Sequence, residues 1–282
     1  MLKIKIMMEK QKKRKVFTLI SDSFTSYFKH LYVALPMLIW LLIVTLLGLI
    51  TLITFVVVNK NDINEIDLNL ISQGKSLTGM PDISLFPFII KLLIVTFIFI
   101  IVGGLIYSFF ISSTLVFARD IVNKKMEKGF KNHLKNSFKY SKYWLKWIGV
   151  KVFQGILGII YLAISIGLIT LTKDILWLII LVIILLGIIG YLLYLFILPI
   201  PYVLVFYDKK ILKSISLSIR QVYKNYWSFL ALNLIVDVGW FVFGLLLSLI
   251  WLSPLVFFLN FLFLHPFKAL LYMLFMKERF MI

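Results

Sequence analysis

The chain has 282 residues, of which 62% are hydrophobic, and it carries a formal net charge of +18. Soluble domains are closer to half apolar, so this composition favours a membrane protein over a soluble one. The chain contains no cysteine, which excludes disulfides, thiolate metal ligands and cysteine nucleophiles.

Long apolar runs dominate the sequence, and about 20 residues suffice to cross the roughly 30 Å hydrocarbon core of a bilayer. Four runs are long enough for one span each: Leu31–Val58, Phe86–Ala118, Leu145–Leu171 and Ile175–Phe206. The last run, Tyr226–Met276, is too long for one span, and Pro254 within Trp251–Leu255 predicts a break because proline interrupts helix. The sequence therefore predicts an all-α polytopic membrane protein with six transmembrane helices arranged as three hairpins.

The charges are distributed unevenly between the two sides of these spans. Basic residues cluster before the first, third and fifth spans, whereas Asn59–Leu85 holds four acids against two lysines. This asymmetry predicts that both termini are cytoplasmic, and the first run is long enough to be a signal anchor. Abundant isoleucine and lysine with little alanine are typical of an AT-rich prokaryotic genome, and with the predicted spans we expect the protein in the cell membrane. Nucleic acid is not expected as a partner, because the lysines lie beside membrane ends where anionic lipid is present.

Each predicted hairpin follows a basic segment in which apolar residues recur every three or four positions, as on one face of a helix. The faces contain Phe17, Ile20, Phe24, Tyr27 and Leu31 in the first segment, Phe130, Leu134, Phe138 and Leu145 in the second, and Ile211, Ile215, Ile219, Val222 and Tyr226 in the third. We expect these amphipathic helices to lie at the membrane interface.

Seven lysines of the second segment follow helical spacing and form what we call the lysine stripe. They are Lys124, Lys128, Lys131, Lys135, Lys139, Lys142 and Lys146. Like charges so spaced destabilise a helix, so we predict that anionic phospholipid headgroups lie against a single helix here, each lysine contributing about 1 kcal/mol. A general membrane anchor and a site for one specific anionic lipid or partner are both compatible with the pattern.

The three segments also share local sequence. "SFTSYFKHLY", "SFKYSKYW" and "SIRQVYKNYW" place Ser23, Ser137 and Ser218 ahead of a lysine and an aromatic residue. The hairpins end in "LVFARD", "LVFYDK" and "LFMKER". The recurrence favours one membrane domain, 1–282, built from three pseudo-repeats at about 16–120, 121–210 and 211–282. The general preference of membrane boundaries for aromatic and basic residues would produce part of this pattern.

The stretch "FILPIPYVLVFYDKKILKSISLSIRQVYKNYWSFLALNLI" (Phe196–Ile235) combines a proline-containing span end, an aliphatic-aromatic-Asp exit, a basic amphipathic helix and a new span. It resembles poorly characterised prokaryotic multi-pass membrane-domain families, including the membrane domain attached to some glycerophosphodiester phosphodiesterases. The hydrolase part of such fusions is absent from this sequence. The resemblance implies a stand-alone membrane domain without catalytic activity.

No catalytic or cofactor motif is present in the sequence. It has three histidines without metal-ligand spacing, and no glycine-rich phosphate loop. We therefore expect no enzymatic activity, no metal and no cofactor. The glycine pairs at Gly103-Gly104, Gly155/Gly158 and Gly187/Gly190 are interpreted as close contacts between helices.

A few polar residues interrupt the apolar spans, and the sequence predicts that they form one intramembrane polar cluster. They are Asp237, Asn233, Lys151, Lys268, His265 and Gln154. A lone ion at mid-bilayer is costly, so Asp237 either pairs with Lys151 or Lys268 or serves as a cation-binding or proton-binding carboxylate. Pro199 and Pro201 interrupt the fourth span and free backbone carbonyls, which occurs both in transporter sites and in simple kinks.

These features predict a non-enzymatic integral membrane protein that contacts anionic lipids and another membrane protein as a scaffold or helper. The alternative is a small transporter or permease that uses Asp237.

Overall fold

The computed structural model describes six stretches of the chain: residues 15–60, 86–125, 129–139, 143–172, 175–249 and 252–279. Within these stretches the chain is helical and contains no strand, which confirms the predicted all-α class. These apolar runs are expected to be helical, because in lipid every backbone polar group must find its hydrogen-bond partner within the protein.

The helices are interrupted by a 3₁₀ turn at Leu31–Ala34 and a π-helical turn at Asn260–Leu264. The first helices are α1 (Val16–Lys29), α2 (Leu35–Val58), α3 (Phe86–Val122), α4 (Phe130–Lys139) and α5 (Trp144–Leu171). The later helices are α6 (Leu176–Ile197), α7 (Ile200–Tyr207), α8 (Ile211–Lys224), α9 (Tyr226–Leu249), α10 (Ser253–Leu259) and α11 (His265–Arg279).

Six stretches of the described chain are long and apolar enough to cross a bilayer, which confirms the predicted number of spans. In order, the first to sixth spans are Leu31–Val58, Pro87–Val122, Trp144–Leu171, Trp177–Tyr207, Tyr226–Leu249 and Pro254–Arg279. The second span continues beyond the predicted end at Ala118. Pro199 divides the fourth span into α6 and α7, and the break predicted near Pro254 separates α9 from α10.

The chain divides into two units, and the smaller one is Ile39–Tyr107. Within it the Trp40 Nε1 donates to the Gly103 carbonyl at 3.3 Å, and the Trp40 ring packs edge-on against Tyr107. Two cavities of about 170 and 160 Å³ lie between the helices of this unit. Among the described residues no ionisable side chain lines either cavity, so neither offers groups for binding or chemistry.

The main unit comprises Met1–Leu38 and Ser108–Ile282, and its core lies where the second, fourth and sixth spans end. The buried side chains there are Val116, Phe117 and Ala118 of α3, Ile200, Val203 and Leu204 of α7, and Leu270, Leu271 and Phe275 of α11. These are the ends that carry the repeated exit sequences. The apolar side chains farther along the spans are largely exposed, as lipid-facing residues would be.

Each of the three span ends contacts the other two, α3 with α7, α7 with α11 and α11 with α3, and we call this arrangement the core ring. Arg119 of α3 donates from Nη1 to the Val205 carbonyl of α7 at 3.3 Å. Tyr202 of α7 packs edge-on against Tyr272 of α11, with ring centroids 4.5 Å apart. Lys277 of α11 completes the ring, because its Nζ donates to the Val122 carbonyl of α3 at 2.6 Å.

The three amphipathic helices, α1, α4 and α8, pack against the core ring in the same cyclic order. Ser113 of the second span donates to the Ser137 carbonyl of α4. Ser218 of α8 donates to the Phe196 carbonyl of the fourth span at 3.1 Å. Tyr27 of α1 donates to the Leu262 carbonyl of the sixth span at 2.6 Å. The helices α4 and α8 therefore contact the second span of the hairpin that precedes each of them in the chain. The helix α1 has no preceding hairpin and contacts the second span of the last one.

The glycine pairs do not behave as interpreted from the sequence. Of the six, only Gly190 would bring a Cβ close to a neighbouring helix, within 2.9 Å of the Tyr161 hydroxyl. A Cβ would meet no described atom within 4 Å at Gly103, Gly104, Gly155, Gly158 or Gly187. The interpretation as close helix contacts is therefore wrong at Gly155, Gly158 and Gly187, while at Gly103 the contact is made through its carbonyl, which accepts from Trp40.

Candidate functional site

The intramembrane carboxylate pairs with one of its two candidate lysines. Lys268 of α11 approaches Asp237 of α9 with its Nζ 2.6 Å from Oδ1. The side chains of Lys268 and Asp237 are 21% and 34% exposed, so the pair lies at the protein surface within a membrane span. A pair of opposite charges is far less costly in lipid than either charge alone.

Two tyrosines extend this pair, and no pattern in the sequence distinguishes either of them. The Tyr191 hydroxyl of α6 donates to Asp237 Oδ2 at 3.4 Å. One turn before Asp237, the fully buried Asn233 donates to the Phe229 carbonyl at 2.8 Å and accepts a hydrogen bond from Tyr272. Tyr272 belongs to the core ring, so this chain of hydrogen bonds fixes the register of α9 against α11.

The other predicted members of the polar cluster bond elsewhere. Lys151 forms no salt bridge with Asp237, and its Nζ lies 5.0 Å above the Trp147 ring as a cation–π contact. Gln154 donates from Nε2 to the Ile197 carbonyl at 2.9 Å. His265 Nδ1 lies 2.7 Å from the Asn260 carbonyl oxygen. The structure thus brings Asp237, Lys268 and Asn233 together and gives the remaining three residues separate partners.

The proline breaks explain why Gln154 and Tyr27 point where they do. Proline has no N–H, so in a helix the carbonyl four residues earlier loses its donor. Pro201 leaves the Ile197 carbonyl without one, and Gln154 supplies a side-chain N–H. Pro266 does the same to the Leu262 carbonyl, and Tyr27 supplies its hydroxyl. The freed carbonyls therefore have partners within the protein.

The lysine stripe is not one helix, and this prediction is wrong. The helix α3 ends at Val122, Lys124 adopts a left-handed conformation (φ 56°), and Gly129 has φ 107° before α4 begins. Only Lys131, Lys135 and Lys139 lie on α4, where all three are exposed. Ending the helix at these points divides a row of like charges that a continuous helix would hold together.

The remaining stripe lysines are separated from α4. Lys146 lies on α5, 3.7 Å from Asp208 Oδ1 and above the Tyr143 ring at 5.3 Å. Lys128 and Lys142 lie outside the described residues. The exposed Lys124 belongs to the turn after α3.

The helix α4 has three distinct faces. Phe130, Leu134 and Phe138 form an outward apolar face with 68%, 40% and 50% exposure. Lys131, Lys135 and Lys139 form an adjacent basic face. The buried inward face consists of His133, Asn136 and Ser137. The buried side is thus the small polar one, and the apolar side chains stay exposed, although the Phe138 ring also contacts Phe109 and Phe110 of α3.

The inward face and the outward apolar face occur again on α1 and α8. The helix α8 also has a basic face, formed by Lys213, Arg220 and Lys224, whereas α1 contains a single base, Lys29. Inward residues are Leu19, Ser23 and Tyr27 on α1, and Ser214, Ser218, Gln221 and Val222 on α8. Tyr27 and Val222 were predicted on the apolar faces and lie inward instead. Exposed apolar residues are Phe17, Phe24 and Phe28 on α1, and Leu212, Ile219 and Tyr223 on α8. Phe24 and Phe28 also contact the Phe263 ring of the sixth span. Ser23, Ser137 and Ser218 are the serines shared by the sequence segments, and all three are completely buried.

Two of the three histidines meet at the junction of α1 with the first span. The Tyr32 hydroxyl lies 2.7 Å from His30 Nδ1, and the Tyr32 ring stacks on His133 at 3.8 Å. His133 is 6% exposed, and its Nδ1 has no described hydrogen-bond partner. Burial lowers the pKa of His133, and burial followed by the charges of Lys29 and His133 lowers the pKa of His30.

Comparison of the chain with protein-family models, with curated proteins and with solved structures finds no match. The resemblance carried by Phe196–Ile235 therefore stays a prediction.

Proposed function

We propose that this integral membrane protein is a non-enzymatic scaffold of a prokaryotic cell membrane, held at an anionic lipid surface by its amphipathic helices and bound to another membrane protein. The observation that carries the proposal is the pair of exposed faces on α4. Its apolar face and its basic face lie side by side and are both exposed, with Phe138 at the edge that meets α3.

Such a helix is stable where apolar and anionic surroundings meet. Apolar side chains of an interfacial helix sink roughly 5–10 Å below the headgroups, while lysines remain among them. Each of Lys131, Lys135 and Lys139 would contribute about 1 kcal/mol at an anionic surface. Because basic residues favour the cytoplasmic side, we infer that α4 and both termini are cytoplasmic.

The polar groups of the spans support a scaffold more than a route for solutes. Asp237 is neutralised by Lys268, and Asn233 has both a donor and an acceptor partner. The carbonyls freed by Pro201 and Pro266 are hydrogen-bonded to Gln154 and Tyr27. These groups thus serve helix packing, which is the role expected in a scaffold.

The contribution of the lysines can be measured with a single fluorescent label. Because the chain has no cysteine, Leu134→Cys gives one site for an environment-sensitive dye on the apolar face of α4. We expect the dye to be buried more deeply in vesicles containing phosphatidylglycerol than in vesicles of phosphatidylcholine alone. The triple variant Lys131→Gln, Lys135→Gln, Lys139→Gln should remove that difference.

A matched triple variant, Lys209→Gln, Lys210→Gln, Lys213→Gln, removes the same charge from the exposed segment around the start of α8 and should leave the dye response intact. Equal dye burial in both kinds of vesicle would contradict an anionic-lipid role for α4. Chemical crosslinking in native membranes tests the partner, and recovery of the chain without any crosslinked membrane protein would contradict the scaffold.

One observation favours a transporter as the second candidate, namely the partial exposure of Asp237 within a span. Purified protein in liposomes loaded with a pH-sensitive dye tests it directly. A scaffold gives no proton flux above empty liposomes. A flux that Asp237→Asn abolishes would support the transporter instead.

A further inference from the structure

A cleft opens at the basic end of the main unit, between α6 and the start of α9. Its volume is about 800 Å³, far more than either cavity of the small unit. Pockets that hold small molecules fall in the range of about 300–1,000 Å³. The cleft is therefore large enough for the polar part of a lipid together with the beginning of an acyl chain.

Two cations from distant parts of the sequence converge on this cleft. Lys224 is the last residue of α8, and Arg279 is the last residue of α11. Asn225 joins the two helix ends, because its Nδ2 donates to the Arg279 carbonyl at 3.5 Å. No carboxylate is among the described residues that line the cleft, so its charge is positive and suits an anion.

The neutral lining completes the chemistry of a phosphate site beside an apolar surface. Ser228, in the first turn of α9, offers a hydroxyl donor near the two cations. Arginine and lysine bind phosphate oxygens by charge-assisted hydrogen bonds, and the guanidinium can do so through two N–H groups at once.

The apolar part of the lining extends along the fourth span. Leu192 and Phe196 of α6 line the cleft toward the middle of the span, and Phe196 stacks on Tyr226 at 5.7 Å. Trp227 flanks the opening and is 79% exposed. Tryptophan is enriched at the level of lipid headgroups because its ring is amphipathic. The cations, the aromatic rim and the aliphatic floor thus follow the order of a phospholipid from phosphate to acyl chain.

We propose that this cleft is a binding site for one anionic glycerophospholipid molecule. Lys224, Arg279 and Ser228 hold its phosphate, and Leu192 and Phe196 contact the start of one acyl chain. Basic pockets between transmembrane helices bind anionic headgroups in this manner. The site involves none of the α4 lysines, so it does not depend on the interfacial role proposed for that helix.

Native mass spectrometry of the purified full chain in detergent, titrated with phosphatidylglycerol or phosphatidylcholine, tests the site. We expect one phosphatidylglycerol molecule to bind with clear preference over phosphatidylcholine. The double variant Lys224→Gln, Arg279→Gln should weaken that binding by about tenfold or more, because both charge-assisted hydrogen-bond donors to the phosphate are removed.

The matched control is Lys213→Gln, Arg220→Gln, which also removes one lysine and one arginine from exposed positions of α8 but leaves the cleft unchanged. It should bind phosphatidylglycerol as the unaltered chain does. An equal loss of affinity in both double variants would overturn the proposal, because binding would then follow net charge alone.

Two further arms test the lipid character of the ligand and do not rely on the charge variants folding. Leu192→Trp keeps both cations and fills the apolar floor, so it should abolish phosphatidylglycerol binding. Unchanged affinity would contradict the proposal that the acyl chain lies against Leu192. Inorganic phosphate and glycerol 3-phosphate should fail to displace the lipid at equal concentration. Displacement by either would show that the cleft binds a soluble phosphate.

Discussion

At the scale of single residues, Asp237 shows how one neighbour determines what an intramembrane carboxylate can do. An unpaired charge would attract water or a proton, and such residues are functional candidates by default. With Lys268 at 2.6 Å and the Tyr191 hydroxyl on its other oxygen, the carboxylate instead holds three helices, α6, α9 and α11, at one point. Its partial exposure leaves this point open to whatever surrounds the span.

Removal of the carboxylate charge tests this structural role. We expect Asp237→Asn to destabilise the protein by up to about 2.5–3.5 kcal/mol, the insertion cost of an uncompensated lysine at mid-span. Thermal unfolding in detergent micelles, followed by tryptophan fluorescence, gives the shift in Tm. Lys151→Gln is the matched control, because Lys151 has no salt bridge with Asp237 and its cation–π contact contributes little.

The double variant Asp237→Leu, Lys268→Leu sharpens the same test. Replacing both charges by apolar groups removes the cost of leaving one of them unpaired, so the double variant should be more stable than Asp237→Asn. A Tm for Asp237→Asn equal to that of the unaltered chain would show that the ion pair does not hold the helices.

The histidine pair makes stability depend on pH. The pKa values of His30 and His133 are lowered below their ordinary value of 6.5, so the folded protein resists protonation more than the unfolded chain does. Between the folded and unfolded pKa values the unfolded chain binds more protons, and stability falls as pH decreases. The contribution of the two neutral histidines to the free energy of unfolding is therefore fully present above about pH 6.5 and declines below it.

We expect the Tm to fall by a few degrees as the pH is lowered from about 8 to about 5. The double variant His30→Asn, His133→Phe should flatten this dependence. Asparagine already occupies the corresponding helix end at Asn225, and phenylalanine can still stack on Tyr32. His265 is common to both proteins and cancels in the comparison, so an unchanged slope would contradict the assignment to the histidine pair.

At the scale of helices, the proline breaks determine which segments must touch. A break in a lipid-exposed helix is tolerated only when other groups satisfy the freed carbonyl. The fourth and sixth spans both contain such breaks, and in each case the donor comes from another helix, α5 for Ile197 and α1 for Leu262. Tyr27 and Leu262 are 235 residues apart in the chain.

Tyr27→Phe removes this hydroxyl while keeping the ring. Burial raises the pKa of Tyr27 to about 12, so the hydroxyl is protonated and available as a donor at neutral pH. The variant should lower the free energy of unfolding by about 1–3 kcal/mol, because the Leu262 carbonyl is left partly buried without a partner. Tyr223→Phe makes the same change at a tyrosine of α8 that is 77% exposed and should leave the Tm unchanged; equal shifts for both would contradict the role of Tyr27.

Hydropathy and spacing predict the spans and the amphipathic helices because both depend on local sequence. The break at Pro254 is equally local. The division of the lysine stripe could not be predicted in this way, since helical spacing continues across the turns at Lys124 and Gly129 as if no helix ended there. The choice of Lys268 over Lys151 was also hidden, because it depends on how distant helices are rotated.

The inward serines explain the largest difference between expectation and structure. Periodicity shows which residues share an apolar face of each amphipathic helix. It does not show which face packs against the protein, and so it could not reveal that the face containing the serine is the buried one. A membrane reverses the usual rule, because lipid accepts apolar side chains while small residues allow close packing. The shared serines were visible in the sequence, but only the structure shows that they face inward.

At the scale of the main unit, equivalent local endings recur at equivalent places. The backbone N–H of His30 and that of Asn225 each donate to the carbonyls three and four residues earlier, ending α1 and α8 in the same way. After the second and fourth spans, Lys125 N–H bonds to the Asp120 carbonyl and Lys209 N–H to the Leu204 carbonyl, each around a left-handed residue. These are Schellman-type helix ends.

Such recurrence is what a triplicated unit would produce, although the boundaries of the three pseudo-repeats stay a prediction. The structural consequence is that each hairpin depends on the amphipathic helix of another. The helix α1 is the decisive case, because it precedes the first hairpin and packs against the sixth span. If the core ring and its three helices form one cooperative unit, damage at any of the three inward faces should shift the same unfolding transition.

Leucine substitution at the three inward serines tests this cooperativity. Ser23→Leu, Ser137→Leu and Ser218→Leu each replace a hydroxyl oxygen by three carbon atoms at a fully buried position, which should cost roughly 1–3 kcal/mol through overpacking. The controls Ser21→Leu and Ser216→Leu make the same change at exposed positions of α1 and α8 and should have little effect. Thermal unfolding should show one transition that moves to lower temperature in all three inward variants. A transition unmoved by Ser23→Leu but lowered by Ser218→Leu would mean that α1 is an appendage, because a helix that closes the ring cannot be displaced without loosening the sixth span against which it packs.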